Sequence, residues 1–236
     1  MKKKERTEKL GNDLGRTYKP TATASCRLAY ACVATHGRTV LNDRNRLQGS
    51  TDARLDERGR EQSHMVGDYI RIFYEVDEFI SSPLTRALET LHHAGFDDLS
   101  VKEDNRFAEI DYGDWESEPV AVRASEMISK WNTDTHFAPP NGESLASLFD
   151  RVSEACEEIM ADDSRERTIL VCSHATAIKA AIVWALGGDA RMILKIHSHP
   201  ASISMIAQTH FGRVLVGYNE RPSDPPDKGH SLEKGG

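Results

Sequence analysis

Cysteine is scarce in this chain: four thiols, Cys26, Cys32, Cys156 and Cys172, in 236 residues, with no CxxC spacing. That count excludes a disulfide-stapled scaffold and a thiolate zinc site, and buried thiols in a reducing cytoplasm are expected. Long apolar runs are missing too, and none approaches the roughly 20 residues of a membrane span. The basic start Met1-Lys2-Lys3-Lys4 is not followed by an apolar core, so it does not read as a secretory signal. Positive charge is in deficit, the formal net charge being -7. With no basic stripe interleaved with aromatics, neither nucleic acid nor a membrane is an expected partner. There is no HExxH pattern and no carboxylate cluster. His92-His93 and His197-Ser198-His199 lack a complete ligand set and read as structural or surface histidines, so no metal or other cofactor is expected.

What is present is an ordinary globular balance, 39% hydrophobic and 28% charged residues. Residues 1–25 and 221–236 lack sustained apolar periodicity and read as disordered tails around one domain spanning 26–220. Within it, strand and helix signals alternate. Continuous apolar runs at Leu28 to Ala34 and Thr168 to Ser173 predict strands covered on both faces. Phe79 to Ser82 and Ser100 to Lys102 predict shorter ones. Helices are predicted over Asp56 to Tyr74, with Met65, Val66, Tyr69, Ile70 and Phe73 on one face, from Leu84, before Trp131, from the N-cap Ser144, and over Ala175 to Leu186. Ser202 to Gln208 and Val214 to Tyr218 predict a hairpin. The alternation predicts an α/β fold, a three-layer sandwich around a mostly parallel sheet.

In such sheets reactive groups collect where strands end and helices begin. His36 and His174 each follow a strongly apolar strand, and Arg86 lies just past Pro83 at another strand end. A neutral imidazole can attack phosphorus, and a guanidinium can meet phosphoryl oxygens through two N–H groups. The helix starting near Ala175 would add free N–H groups and a positive dipole end. Taken singly, each residue has a plainer reading: a histidine after a strand as a satisfied loop residue, Arg86 as a surface ion pair, and Glu109 as one solvated acid among Asp111, Asp114 and Glu116.

The order of motifs resembles the histidine phosphatase superfamily, the phosphoglycerate mutase-like family. Its Arg-His-Gly-x-Thr pattern stands here as Thr35-His36-Gly37-Arg38-Thr39, followed by Asn42 and Arg46-Leu47-Gln48-Gly49. Leu55-Asp56-Glu57-Arg58-Gly59, then Ser82 through Arg86-Ala87 to Thr90, Glu109 with Gly113-Asp114-Trp115-Glu116, Gly142-Glu143-Ser144 and Ser173-His174 complete the series. The resemblance implies a metal-independent phosphomonoester hydrolase with His36 as nucleophile, Arg86 and His174 on the phosphoryl group and Glu109 as proton donor. It also implies phosphate contacts at Asn42, Thr35, Gly37 and Ala175, and a small-molecule phosphate ester as partner. The short stretch from Glu109 to Gly142 favours a phosphatase over a mutase. Thr35 stands where the family carries arginine and Ala175 where it usually carries glycine. Thr35 offers one neutral donor in place of a cation, which implies reduced turnover or, as the alternative, an inactive relative that binds a phosphorylated metabolite or protein. Arg38, Arg46 and Lys179 are the candidates to replace the missing charge.

Overall fold

The computed structural model describes residues 29–96, 100–161 and 166–222. The expected disordered tails and Cys26 fall outside these residues, apart from residues 221–222. In chain order the elements are β1 (Ala29–Thr35), α1 (Val40–Asp43), α2 (Glu57–Phe73), β2 (Glu78–Ser81), α3 (Thr85–His93), β3 (Val101–Glu103), α4 (Val120–Thr133), α5 (Leu145–Met160), β4 (Arg167–Ser173), α6 (Ala175–Ala185), β5 (Ile203–Thr209) and β6 (Gly212–Glu220). The six strands form one sheet in the order β3-β2-β4-β1-β5-β6. The pairings of β1 with β4, β2 with β4 and β2 with β3 are parallel, while β5 and β6 add an antiparallel hairpin.

Alternation along the strands feeds two apolar layers. Ala31, Val33, Ile169 and Val171 point to one face, where α4, α5 and α6 cover them through Trp131, Leu148, Val152, Ile178 and Ile182. Tyr30, Cys32, Ala34, Leu170 and Cys172 point to the other, against Val66 and Ile70 of α2 and Ala87 and Leu91 of α3. Helices on both faces explain why β1 and β4 read as unbroken apolar runs. The expected face of α2 is corrected in one respect. Met65 is 38% exposed, and the buried stripe runs instead through Gly59, Ser63, Val66, Gly67 and Ile70. Small residues are needed there: a Cβ on Gly67 would stand 2.1 Å from the Ala94 carbonyl oxygen, so helix α2 packs directly on the chain leaving α3.

Helix starts are set by side chains. Asp56 accepts from the Gly59 N–H at 2.7 Å, and Ser144 from Ser147 at 3.1 Å. Cys32, Cys156 and Cys172 are buried and free; burial pushes the Cys156 and Cys172 thiols up to about 12. Among the described residues no helix is long and apolar enough to cross a membrane.

The parallel register positions the chemistry. Thr35 pairs with Ser173 and Ser81 with Cys172, so β2, β4 and β1 end side by side. Backbone bonds extend the alignment one residue further, from His36 N–H to the Ser173 carbonyl and from Ser82 N–H to the Cys172 carbonyl, each 2.9 Å.

Candidate active site

His36, Arg86 and His174 meet at this edge. The two imidazole centroids lie 5.0 Å apart, inclined at 58°. His36 Nδ1 stands 2.7 Å from the Gly37 carbonyl oxygen. A carbonyl only accepts, so Nδ1 carries the proton and Nε2 is the bare nitrogen. For this turn the chain needs Gly37: a Cβ there would lie 2.4 Å from the Gly59 carbonyl oxygen, and one on Gly59 would lie 2.0 Å from that of Arg38. Two glycines back to back thus let the loop after β1 rest on the first turn of α2.

Burial is nearly complete for all three groups, with His36 at 8% exposure and Arg86 and His174 at zero. Desolvation, reinforced by the Arg86 charge, lowers His36 from 6.5 to about 3. The same causes hold His174 well below its ordinary value. Both rings are neutral at physiological pH.

Arg86 donates from Nε to His174 Nδ1 (3.0 Å), from Nη1 to the Thr51 carbonyl (3.0 Å) and from Nη2 to the Gly49 carbonyl (2.7 Å). With the Gln48 amide assigned so that its nitrogen faces Thr39 Oγ1 at 2.5 Å, its oxygen lies 3.1 Å from Arg86 Nη1 and Nε, and each atom meets a complementary partner. The loop that offers its carbonyls to Arg86 offers its amides to Glu116. That carboxylate accepts from Gly49, Ser50 and Thr51 N–H at 3.0 to 3.2 Å, and from Tyr112 N–H at 3.2 Å. Asp52 fastens the same loop to the start of α3, accepting from Thr85 N–H at 2.8 Å.

Glu109 is 9% exposed and reaches the first turn of α6, where Oε2 accepts from Thr176 N–H at 3.2 Å. Its backbone is held by Arg151, which pairs with both Glu143 oxygens at 2.7 Å and donates to the carbonyls of Arg106, Ala108 and Glu109. The neighbouring acids are otherwise engaged: Glu116 in the loop just described, Asp111 with Ser50 Oγ and Gly113 N–H, Asp114 with Asn141.

Three of the remaining expected contacts, Thr35, Gly37 and Asn42, are hydrogen-bonded within the protein. The Thr35 hydroxyl donates to the His199 carbonyl at 2.6 Å and accepts from Ser202 N–H at 2.8 Å. It works as a strut between β1 and the turn before β5. The Gly37 N–H is taken by Thr90 Oγ1 at 3.0 Å. Asn42 Oδ1 accepts from Thr39 N–H and Oγ1 in a capping box at the start of α1. Ala175 is the first residue of α6, and its N–H has no acceptor among the described residues. As for replacement cations, Arg38 is paired with Asp43 at 2.7 Å and Asp56 at 2.8 Å, and Arg46 donates to the Ser117 carbonyl.

Three functional neighbours escaped the sequence reading of the site. Ser82 Oγ lies 2.7 Å from His174 Nε2, Gln48 braces Arg86, and Glu116 orders the Arg86 loop. Ser82 and Gln48 stand inside recognisable motifs, which was the available signal; nothing local to Glu116 distinguishes it from Asp114. Among the described residues no cluster of three or more His, Cys, Asp or Glu could hold a metal ion.

Comparison with known proteins agrees with this geometry. The bifunctional protein Rv2228c of Mycobacterium tuberculosis is 32% identical over 174 residues, 72% of this chain but 48% of that protein. The chain therefore spans about half the length of these curated relatives. Phosphoserine phosphatase 1 of Hydrogenobacter thermophilus is 30% identical over 189 residues, covering 78% of this chain and 89% of that protein. Among solved structures, phosphoserine phosphatase of Entamoeba histolytica in complex with 3-phosphoglyceric acid superposes with a TM-score of 0.71 at 25% identity, covering 81% of this chain and 97% of that one. The model of the histidine phosphatase superfamily, branch 1, matches residues 32–221, and with two histidines and an arginine gathered at the ends of parallel strands, the chain belongs to that superfamily.

Proposed function

We propose that the chain is a phosphomonoester hydrolase that works through a phosphohistidine at His36. The observation that carries this reading is the Nδ1 bond to Gly37, which leaves Nε2 of a neutral, buried imidazole with its lone pair free beside His174. In the first step Nε2 attacks phosphorus and the P–O ester bond breaks, while protonated Glu109 gives its proton to the departing oxygen. In the second, Glu109 as carboxylate takes a proton from water, whose oxygen attacks phosphorus. The P–N bond breaks, and inorganic phosphate leaves with His36 neutral again. The Arg86 charge and the donors at the start of α6 meet the charge on the transferring oxygens. An arriving phosphate would exchange the neutral Gly49 and Thr51 carbonyls on Arg86 for anionic oxygens in a bidentate pair, adding attraction between opposite charges.

The substrate in this reading is a small phosphorylated metabolite, the class named for the phosphatase relatives. A second reading, binding of such an ester without turnover, is favoured by Thr35, whose hydroxyl is bonded to backbone and supplies no charge. Incubation with a labelled phosphate ester separates the two. An acid-labile, base-stable phosphoprotein that disappears in His36→Ala supports the hydrolase; saturable binding with no phosphoprotein supports the second reading.

A further inference from the structure

We propose that Lys179 selects the substrate by pairing with a carboxylate on its leaving-group half. This rests on the hydrolase reading for the meaning of leaving group, though not for the binding itself.

Helix α6 is buried along its whole length except at Ala175 and Lys179. Four residues apart, these two share one helical stripe, the one that borders the site. Helical side chains lean toward the N-terminus, so the Lys179 stem runs back over Ala175, the residue after His174. There the helix start meets Glu109, through the Thr176 N–H. Lys179 is half-buried, yet among the described residues it makes no hydrogen bond and no ion pair. The arginines nearby differ, since Arg38, Arg46, Arg86 and Arg151 all have partners. Burial lowers the Lys179 ammonium below its ordinary value, with the Glu109 carboxylate acting in the opposite sense. A partly desolvated cation with its donors unspent gains from an anionic partner.

The position decides which part of a substrate that partner belongs to. In the hydrolase reading Glu109 serves the departing oxygen, and the Lys179 ammonium lies close enough to the Glu109 carboxylate to feel its charge. A group bonded to the leaving alcohol is therefore the part of the substrate assigned to Lys179. The charge balance selects carboxylate over a second phosphate. With Glu109 protonated for the first step, one ammonium balances a single added negative charge, whereas a second phosphate dianion would leave a charge unmatched.

The test uses two esters that differ only in this feature, 3-phosphoglycerate and glycerol 3-phosphate, titrated calorimetrically into the full chain. His36→Ala is the background, so that neither ester is consumed. With Lys179 present, 3-phosphoglycerate is expected to bind about tenfold more tightly, the scale of one charge-assisted contact at a half-exposed position. Lys179→Met and Lys179→Gln should bring the two affinities together, and Lys179→Arg should keep most of the difference. Equal affinities with Lys179 in place, an undiminished preference in both neutral variants, or no saturable binding of 3-phosphoglycerate would each overturn the assignment. Loss of phosphohistidine formation in the chain carrying His36, with the carboxylate preference intact, would count against the hydrolase and leave Lys179 standing.

Discussion

Arg86 Nε lies 3.0 Å from His174 Nδ1, and this contact fixes the second imidazole in the opposite tautomer to the first. A guanidinium N–H only donates, so Nδ1 of His174 is bare and Nε2, facing Ser82 Oγ, holds the proton. His36 is arranged the other way round, with Nδ1 protonated and Nε2 bare. One ring thereby presents a free lone pair and its neighbour an N–H donor.

Nitrogen-15 spectra of the imidazoles should report these tautomers directly. Because burial and Arg86 lower His36 from 6.5 to about 3 and hold His174 well below 6.5, neither ring should titrate between about pH 5 and 8. Below pH 6.5 an unfolded histidine takes up a proton that folded His36 refuses until about 3, so the unfolded state binds more protons. Stability should decline as pH falls through that window. A midpoint near 6.5 for either ring would remove the electrostatic basis of the site.

Glu109→Gln separates proton donation from positioning. General acid catalysis is worth about 10²- to 10⁴-fold, and that loss is expected with an alkyl phosphate. With p-nitrophenyl phosphate, whose phenolate departs without help, the loss should be slight. Equal losses on the two esters would assign Glu109 to holding the α6 terminus and return the donor role to another acid.

Thr35→Val keeps shape but removes the hydroxyl that bridges Ser202 N–H and the His199 carbonyl. A buried N–H left unpaired costs about 1–3 kcal/mol, read as a lower denaturation midpoint at constant slope. Thr35→Arg should lose the same strut while binding inorganic phosphate more tightly. If Thr35→Val were as stable as the parent, the strut would contribute nothing.

Glu116→Gln tests the loop held between two opposite charges. With the carboxylate gone, the Gly49, Ser50 and Thr51 amides lose a shared charged acceptor. Their hydrogen exchange should accelerate at least tenfold, the scale of one charged bond. Unaltered exchange would mean that Arg86 alone orders the segment.

The sandwich was legible because covering both faces of a sheet leaves a signature that chain order cannot hide: unbroken apolar runs at β1 and β4. The meeting of His36, Arg86 and His174 followed from parallel strands ending together. Less legible were assignments that depend on what a side chain meets across the fold. Thr35 reads as a weak phosphate donor until its partners, 164 and 167 positions away, are known. Met65 fits an apolar periodicity, yet the close approach of α2 to Ala94 moves the buried stripe onto Ser63 and Gly67. The four acids from Glu109 to Glu116 look alike in sequence; only geometry shows which carboxylates are already bonded to loop amides.

The glycine seam has a bearing on redesign. With Gly37 resting on Gly59, Thr39 bridged to Leu55, and Asp56 N–H donating to the Arg38 carbonyl at 3.1 Å, the segment from Val40 to Arg54 is closed at its base, and Arg46 bridged to Pro119 with Val120 N–H donating to the Asn45 carbonyl at 2.8 Å fastens it again at the start of α4. Closure entropy grows by only about 0.6 kcal/mol per doubling of length. An insertion is therefore expected to be tolerated at the exposed turn around Arg44, between α1 and that second fastening, with His36 kept in place by the glycine seam.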